Sequence, residues 1–130
     1  IHSGGHVLGL WGEARATDCA AGGNLLAGEL VPMAMVEEFT RSRGHLGERL
    51  MLALEAGLRA GGEAGPVHSA GLKVADRLTW PLVDLRIDWA EDPIGMLRAT
   101  WDVYAPQMGA YVQRAEDPTQ APSYGVPGDE

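Results

Sequence analysis

Three side chains in this sequence are of types that take part in hydrolytic chemistry: the hydroxyl of Ser3, the amide of Asn24 and the imidazole of His68. Ser3 lies close to the first residue of the chain. Cleavage immediately before Ser3 would expose a serine with a free α-amino group, an arrangement in which one residue supplies both nucleophile and base. The alternative is a serine paired within a β-strand.

Asn24 and His68 both stand next to predicted turns. Asn24 follows Gly22-Gly23, where its amide would donate a hydrogen to an oxyanion or would hold a turn by bonding its own backbone. His68 follows Gly65-Pro66, where it would act as a general base or as a half-buried structural histidine. The sequence alone leaves both pairs of alternatives open.

Asp84, Arg86 and Asp88 alternate with apolar residues, so they share one face of a predicted strand. A charged sheet face is typical of a solvent-exposed ion-pair ladder or of a binding site. Asp84 and Arg86 are therefore candidates for substrate binding, with a structural Asp84–Arg86 network as the alternative.

The sequence predicts neither a bound metal nor a cofactor. His2 and His6 lack the helical spacing and the neighbouring cysteines that are typical of zinc sites. Cys19, the single cysteine, is expected to be a small buried hydrophobic residue. One cysteine also excludes an internal disulfide and fits a reducing compartment, so a cytoplasmic location is expected.

The elements that would position these residues follow from apolar periodicity and from turn residues. Helices are predicted to begin at Val31-Pro32, to span His45–Ala60, and to begin again at Pro93 after an Asp92 cap. The predicted strands are Ile1–Gly4, Val7–Trp11, Thr17–Gly23, Val67–Val74 and Leu82–Trp89.

Strands followed by helices, then strands and a further helix, favour an α+β fold with helices packed on a mostly antiparallel sheet. Residues 1–116 are expected to form part of a single domain, and residues 117–130, with three prolines and no periodicity, an extended tail. The strands are too few to balance the helices, and the chain begins with Ile1. An upstream segment of the same protein is therefore an expected partner.

Charge and hydropathy exclude several other partners. The 130 residues carry a formal net charge of −8 and no basic run, which argues against binding nucleic acid or anionic membrane surfaces. No apolar run approaches the roughly 20 residues needed to span a bilayer. Homo-oligomers are suggested by the tryptophans and the tail.

Several segments resemble one bacterial family, the domain of unknown function 1028 family, in the same order along the chain. They include a Gly-Asn-Leu-Leu-Ala run, the central helix with the strand after it, and a Val-Asp-Leu-Arg strand. The segments are Cys19–Gly28, Glu48–Gly62, Gly65–Leu72, Trp80–Trp89, Asp92–Ile94, Pro106–Met108 and Ser123–Glu130. The resemblance covers nearly the whole chain.

Members of that family are roughly twice as long as this chain and resemble N-terminal-nucleophile hydrolases, which are layered α/β/β/α sandwiches. The resemblance implies that this chain is the C-terminal half of such a sandwich. It also implies hydrolysis of a small amide or carbamoyl-type bond by a Thr, Ser or Cys on an upstream segment, because Ile1 is no nucleophile. The alternative is a non-catalytic binding or assembly module that reuses the fold.

Overall fold

The computed structural model of the protein describes residues 6–123. The fold of these residues is α+β, as predicted, and they form four strands in two antiparallel hairpins and four α-helices. The elements in chain order are β1 (Gly12–Arg15), β2 (Ala20–Gly23), α1 (Val31–Arg41), α2 (Leu46–Arg59), β3 (Ala70–Val74), β4 (Val83–Ile87), α3 (Pro93–Tyr104) and α4 (Met108–Glu116). Among the described residues, no helix is long and apolar enough to cross a bilayer.

The sequence predicted the second hairpin better than the first. In the second hairpin, β3 pairs with β4 from Ala70 opposite Ile87 to Val74 opposite Val83, and the clear alternation of β4 predicted it. The first hairpin, β1 with β2, was predicted only in part, because β1 begins where the predicted strand Val7–Trp11 ends. Residues 7–11 form no strand, since Gly9 turns the chain at a φ of 71°. The predicted strand Ile1–Gly4 lies outside the described residues.

The helices begin where local signals place them. Pro32 lies in the first turn of α1. The His45 side chain caps α2 by accepting a hydrogen bond from the Gly47 amide at 3.0 Å. Asp92 caps α3 in the same way, accepting from the Gly95 amide at 3.0 Å. The first residue of each of these three helices depends on a few neighbouring residues only. The sequence predicted all three starts correctly, that of α2 to within one residue.

The core lies where α2 and α3 pack against the second hairpin. Its buried members are Met51, Leu72, Val74, Val83, Leu97 and Trp101. Leu46, Leu50, Leu54 and Leu58 recur every four residues along α2, but Leu46 and Leu58 are exposed. The buried face of α2 is centred on Met51 and Gly47, and Leu50 and Leu54 border it.

Gly47 is buried beneath the indole ring of Trp101. A Cβ at Gly47 would lie 2.5 Å from the ring carbon Cη2 of Trp101, closer than carbon atoms approach without displacement. Trp101 in turn donates from Nε1 to Glu48 Oε2 at 2.6 Å, so the ring is held from two directions. The absence of a side chain at Gly47 therefore sets the distance between α2 and α3.

This contact makes two glycines in equivalent positions behave in opposite ways. Gly47 and Gly109 are each the second residue of their helix, but a Cβ at Gly109 meets no atom within 4 Å. Gly47→Ala is expected to lower the free energy of unfolding by about 1–3 kcal/mol through overpacking. Gly109→Ala is expected to raise it by about 0.5–1 kcal/mol through helix propensity. Urea unfolding of the two variants measures both changes in the free energy of unfolding. Changes of the same sign would contradict the contact between Gly47 and Trp101.

Arg98 joins α3 to α2 through carboxylates. Its Nε donates to Glu55 Oε1 at 2.6 Å and its Nη1 to Glu48 Oε2 at 2.8 Å. Glu55 and Arg59 stand four residues apart on α2, a spacing that favours an ion pair, but Arg59 lies instead 3.8 Å from Glu38. Arg98 is half-buried and donates short hydrogen bonds to both Glu55 and Glu48. It is therefore a stronger partner for Glu55 than an exposed residue of the same helix would be.

Glu48 makes stability depend on pH in the acid range. The hydrogen bond from Arg98 lowers the pKa of Glu48, partial burial opposes this effect, and the bond from Trp101 adds to it. Because the folded pKa lies below the unfolded value of about 4.3, the stabilisation is complete above that pH. It is lost as the pH falls through the lower, folded pKa.

Glu48→Gln is therefore expected to cost about 1 kcal/mol at pH 7, a modest value because water screens a carboxylate that is partly exposed. The gap between wild type and variant should narrow as the pH falls below the unfolded pKa of about 4.3 and through the lower, folded pKa. Urea titrations at half-unit pH intervals test this. A gap that stays constant down to pH 3 would assign the effect to packing instead of charge.

The C-terminal part of the chain packs back on the second hairpin. Tyr104 donates its hydroxyl hydrogen to the Leu82 carbonyl oxygen at 2.6 Å, and burial raises the pKa of this hydroxyl. Pro106 lies in a short 3-10 helix between α3 and α4, since proline cannot continue an α-helix without a break. Arg77 and Glu116 form a two-bonded ion pair at 2.8 and 2.9 Å, which ties the end of α4 to the loop after β3.

Candidate functional site

His68 is engaged with the loop that precedes α3. Its Nδ1 lies 3.2 Å from the Ala90 carbonyl oxygen, and its ring stacks on Trp89 with 5.0 Å between centroids. A carbonyl oxygen only accepts, so Nδ1 is the donor in this hydrogen bond. The His68 carbonyl also accepts from the Ala90 amide at 2.8 Å. These bonds favour the structural interpretation of His68.

Asn24 lies in the turn after β2. Its Nδ2 donates to the Leu8 carbonyl oxygen at 3.5 Å, which is long for a hydrogen bond. The next residue, Leu25, has a φ of 53°, so the turn itself is held in the left-handed region. The Asn24 amide is therefore weakly held and half-buried, and it lines a pocket.

Asp84 and Arg86 lie on the outward face of the second hairpin. Asp84 is 3.3 Å from Lys73, its cross-strand neighbour, and Arg86 is 2.6 Å from Asp88. The hydrogen bond to Asp88 is the main cause that raises the pKa of Arg86, and Asp84 contributes less. The ladder is thus built from neighbours on both strands and is largely exposed. Asp84, Arg86 and Asp88 line neither of the two pockets described next, whereas Lys73 lines one of them.

A groove, which we call the hairpin groove, separates the two hairpins. Its floor is the α1–α2 layer, where Met35 and Leu54 are shared by two adjoining pockets. One pocket, of about 280 Å³, adjoins Cys19 at the start of β2. The other, of about 300 Å³, adjoins Asn24, and we call it the Asn24 pocket. Cys19, expected to be buried, is half-buried at the rim.

Of the described strands, only β2 and β3 line the hairpin groove. Each of them pairs with one described strand, β1 or β4, so its other edge is unpaired within residues 6–123. Two strands that each have one unpaired edge therefore border the same apolar floor. Strand edges of this kind accept additional strands or polar ligands through their amides and carbonyls.

The Asn24 pocket combines an apolar lining with a few polar groups. Its polar side chains are Asn24, Glu63 and Ser69. Glycines line the same pocket and leave backbone groups uncovered: Gly22, Gly23, Gly57, Gly62 and Gly71. A pocket of about this size with a small number of polar groups on an apolar surface is typical of sites for small molecules.

The structure thus brings Asn24 close to Ser69, although no pattern in the sequence connects the two residues. His68 and Ser69 are adjacent in the chain, but only Ser69 lines the Asn24 pocket, whereas the His68 ring stacks on Trp89. No local signal in the sequence selects Ser69 over His68. Ser3 lies outside the described residues.

The chemistry available to the described residues is recognition by hydrogen bonds. Asn24 and Ser69 can donate to a carbonyl or carbamoyl oxygen, and Glu63 can accept from an amide nitrogen. Within residues 6–123, no group of three or more His, Cys, Asp or Glu side chains could hold a metal ion.

Comparison with known proteins identifies the family of this chain. A family model described as "Family of unknown function (DUF1028)" matches residues 1–97, about three quarters of the chain. The match includes the Gly-Asn-Leu-Leu-Ala run and β4, whereas Pro106–Met108 and Ser123–Glu130 lie beyond it. No curated protein and no solved structure matches the chain. The chain therefore belongs to the DUF1028 family, as the resemblance of its segments predicted.

Proposed function

We propose that the protein hydrolyses small amide or carbamoyl-type bonds and that the Asn24 pocket is the substrate-binding wall of its active site. This proposal rests on one observation. Asn24, Ser69 and Glu63 line the same pocket of about 300 Å³, and their side chains are its polar ones on an otherwise apolar surface. An amide presents one acceptor and one donor, and these three side chains supply the complementary groups.

In this proposal the nucleophile comes from outside residues 6–123, on an upstream segment of the same protein. A Thr, Ser or Cys at the start of a processed chain would attack the carbonyl carbon, and its own α-amino group would take the proton. Asn24 would donate its amide hydrogen to the oxyanion. Its long bond to the Leu8 carbonyl oxygen supports this role, since little is lost when the amide turns to a ligand.

The fold proposed for the complete site is the layered sandwich of the N-terminal-nucleophile hydrolases. The α1–α2 layer beneath the two hairpins supplies one helical layer and part of one sheet. The edges of β2 and β3 that no described strand covers supply positions where upstream strands would continue that sheet. The chain would then be the C-terminal half of the domain.

The test is activity of the full-length protein on a panel of small amides and carbamoyl compounds. Asn24→Ala is expected to lower kcat by about 100-fold with little change in KM, because an oxyanion donor acts mainly in the transition state. Gln107→Ala, which removes an exposed amide just after the far end of α3, is the matched control and should leave kcat unchanged. An unchanged kcat in Asn24→Ala would remove Asn24 from the mechanism.

The second candidate is a non-catalytic binding or assembly module. It is favoured by the apolar floor of the hairpin groove, which two strands border. Replacing the first nucleophilic residue of the mature protein by alanine separates the two functions. Activity that disappears in this variant supports the hydrolase, whereas a protein without activity on any amide, before and after the change, supports the module.

A further inference from the structure

β4 has an edge that no described strand covers, on the side opposite β3. Along β4, Val83, Leu85 and Ile87 turn towards the helices, and Asp84 and Arg86 turn outward to solvent. An unpaired edge with regular alternation is a template for another strand. The pattern of charges decides which strand fits.

β4 is complementary to itself. When two copies of Val83–Ile87 run antiparallel about Leu85, Asp84 of one copy stands opposite Arg86 of the other, and the reverse pair forms by symmetry. Val83 then stands opposite Ile87, so every apolar position meets an apolar one. Opposite charges directly across a strand pair stabilise it, and a two-fold axis of this kind closes a dimer.

The surface beside this edge is apolar as well. α3 packs under β4 and leaves Met96, Ala99, Thr100 and Val103 uncovered at helical spacing, with Val103 67% exposed. Together with Leu85 and Tyr111, these residues border a shallow depression of about 480 Å³ next to β4. In a dimer about Leu85, the two α3 helices would lie side by side on one face of the joined sheet, and these stripes would face each other.

The other strand edges fit this role less well. Self-pairing of β3 about Leu72 would set Lys73 opposite Gly71, with no opposite charge, and its edge borders the hairpin groove. β1 can set Glu13 opposite Arg15, but it has only 4 residues, and its inward positions are Gly12 and Ala14. Of the described strands, β4 alone combines charge complementarity with a neighbouring apolar stripe.

We propose that the protein forms a homodimer through antiparallel pairing of β4 with β4 of a second copy, centred on Leu85. The joined sheet has the order β3–β4–β4–β3, with α3 of each copy packed on the same face. The Arg86 and Asp84 side chains leave their present exposed partners, Asp88 and Lys73, for each other across the axis. Exposed ion pairs contribute little, so this exchange costs little.

The test measures self-association of the full-length protein by sedimentation equilibrium. Arg86→Asp is expected to weaken the dimer at least about tenfold, because it sets like charges opposite each other at two symmetric positions. Lys73→Asp makes the same charge change on the same sheet face, one strand away from the edge, and should leave the dimer constant nearly unchanged. The double variant Asp84→Arg with Arg86→Asp restores opposite charges across the axis and should restore the dimer.

A second measurement does not depend on charge or on the stability of these variants. In a Cys19→Ser background, one preparation carries Asp84→Cys and the other Arg86→Cys. A short thiol-specific crosslinker should join the two when they are mixed, and a mixture of Lys73→Cys with Asp84→Cys should be joined far less. A protein that is monomeric at all concentrations would overturn the proposal. So would equal weakening by Arg86→Asp and Lys73→Asp, or a crosslink without preference for the 84–86 pair.

Discussion

Leu97→Ala is expected to lower the free energy of unfolding by about 3 kcal/mol, the middle of the range for a leucine removed from a closed core. Leu97 has no exposed surface and belongs to the cluster that joins α3 to α2 and the second hairpin. The residues around it include Met51 and Val83, which are equally buried. A cavity at this point is enclosed by three elements, so the neighbouring side chains can fill only part of it.

Urea unfolding at neutral pH measures the loss. Leu46→Ala is the matched control, because it makes the same chemical change on a leucine that is 41% exposed, and it should cost less than about 1 kcal/mol. A loss below about 1 kcal/mol for Leu97→Ala would mean that the contact between α3 and the hairpin is loose.

Arg98→Met is expected to lower the free energy of unfolding by about 2 kcal/mol. Methionine keeps most of the apolar stem but leaves the carboxylates of Glu48 and Glu55 without their shared cation. Removing one partner of a fully buried pair costs about 3–5 kcal/mol. The expected value is smaller because water reaches part of each side chain.

Arg15→Met provides the control for Arg98→Met. Arg15 also binds a carboxylate, Glu13, but its side chain is 64% exposed, so its removal should change stability by less than about 0.5 kcal/mol. A double variant with Glu48→Gln and Arg98→Met should cost less than the sum of the two single changes, because both remove the same bond. Additive losses would indicate that the two residues act independently.

Local signals in the sequence were sufficient for the helices and for the second hairpin. Proline at a helix start, an aspartate cap and strict alternation along β4 act over a few neighbouring residues, and no distant contact opposes them. The first hairpin was harder to place, because its strands are short and rich in Gly and Ala, so alternation carries little information.

The buried face of α2 shows where periodicity is insufficient. The leucine repeat is the strongest apolar pattern in the helix, but α2 lies between α1 on one side and β3 and α3 on the other. Small residues such as Gly47 and Ala53 face the closest contacts, and larger leucines lie along the borders. The choice of face depends on how near the neighbouring elements come, which the helix sequence does not contain.

The same limit applies to the candidate site. The sequence by itself determined the α+β class, the positions of the helices and the membership of the DUF1028 family. It also named Asn24 as a donor after a glycine turn. Only the tertiary structure decided that Ser69, not His68, stands with Asn24, and that Arg98 is the cation shared by Glu48 and Glu55. These contacts join residues more than 40 positions apart, and packing of whole elements, with the closest approach at Gly47, fixes which of them meet.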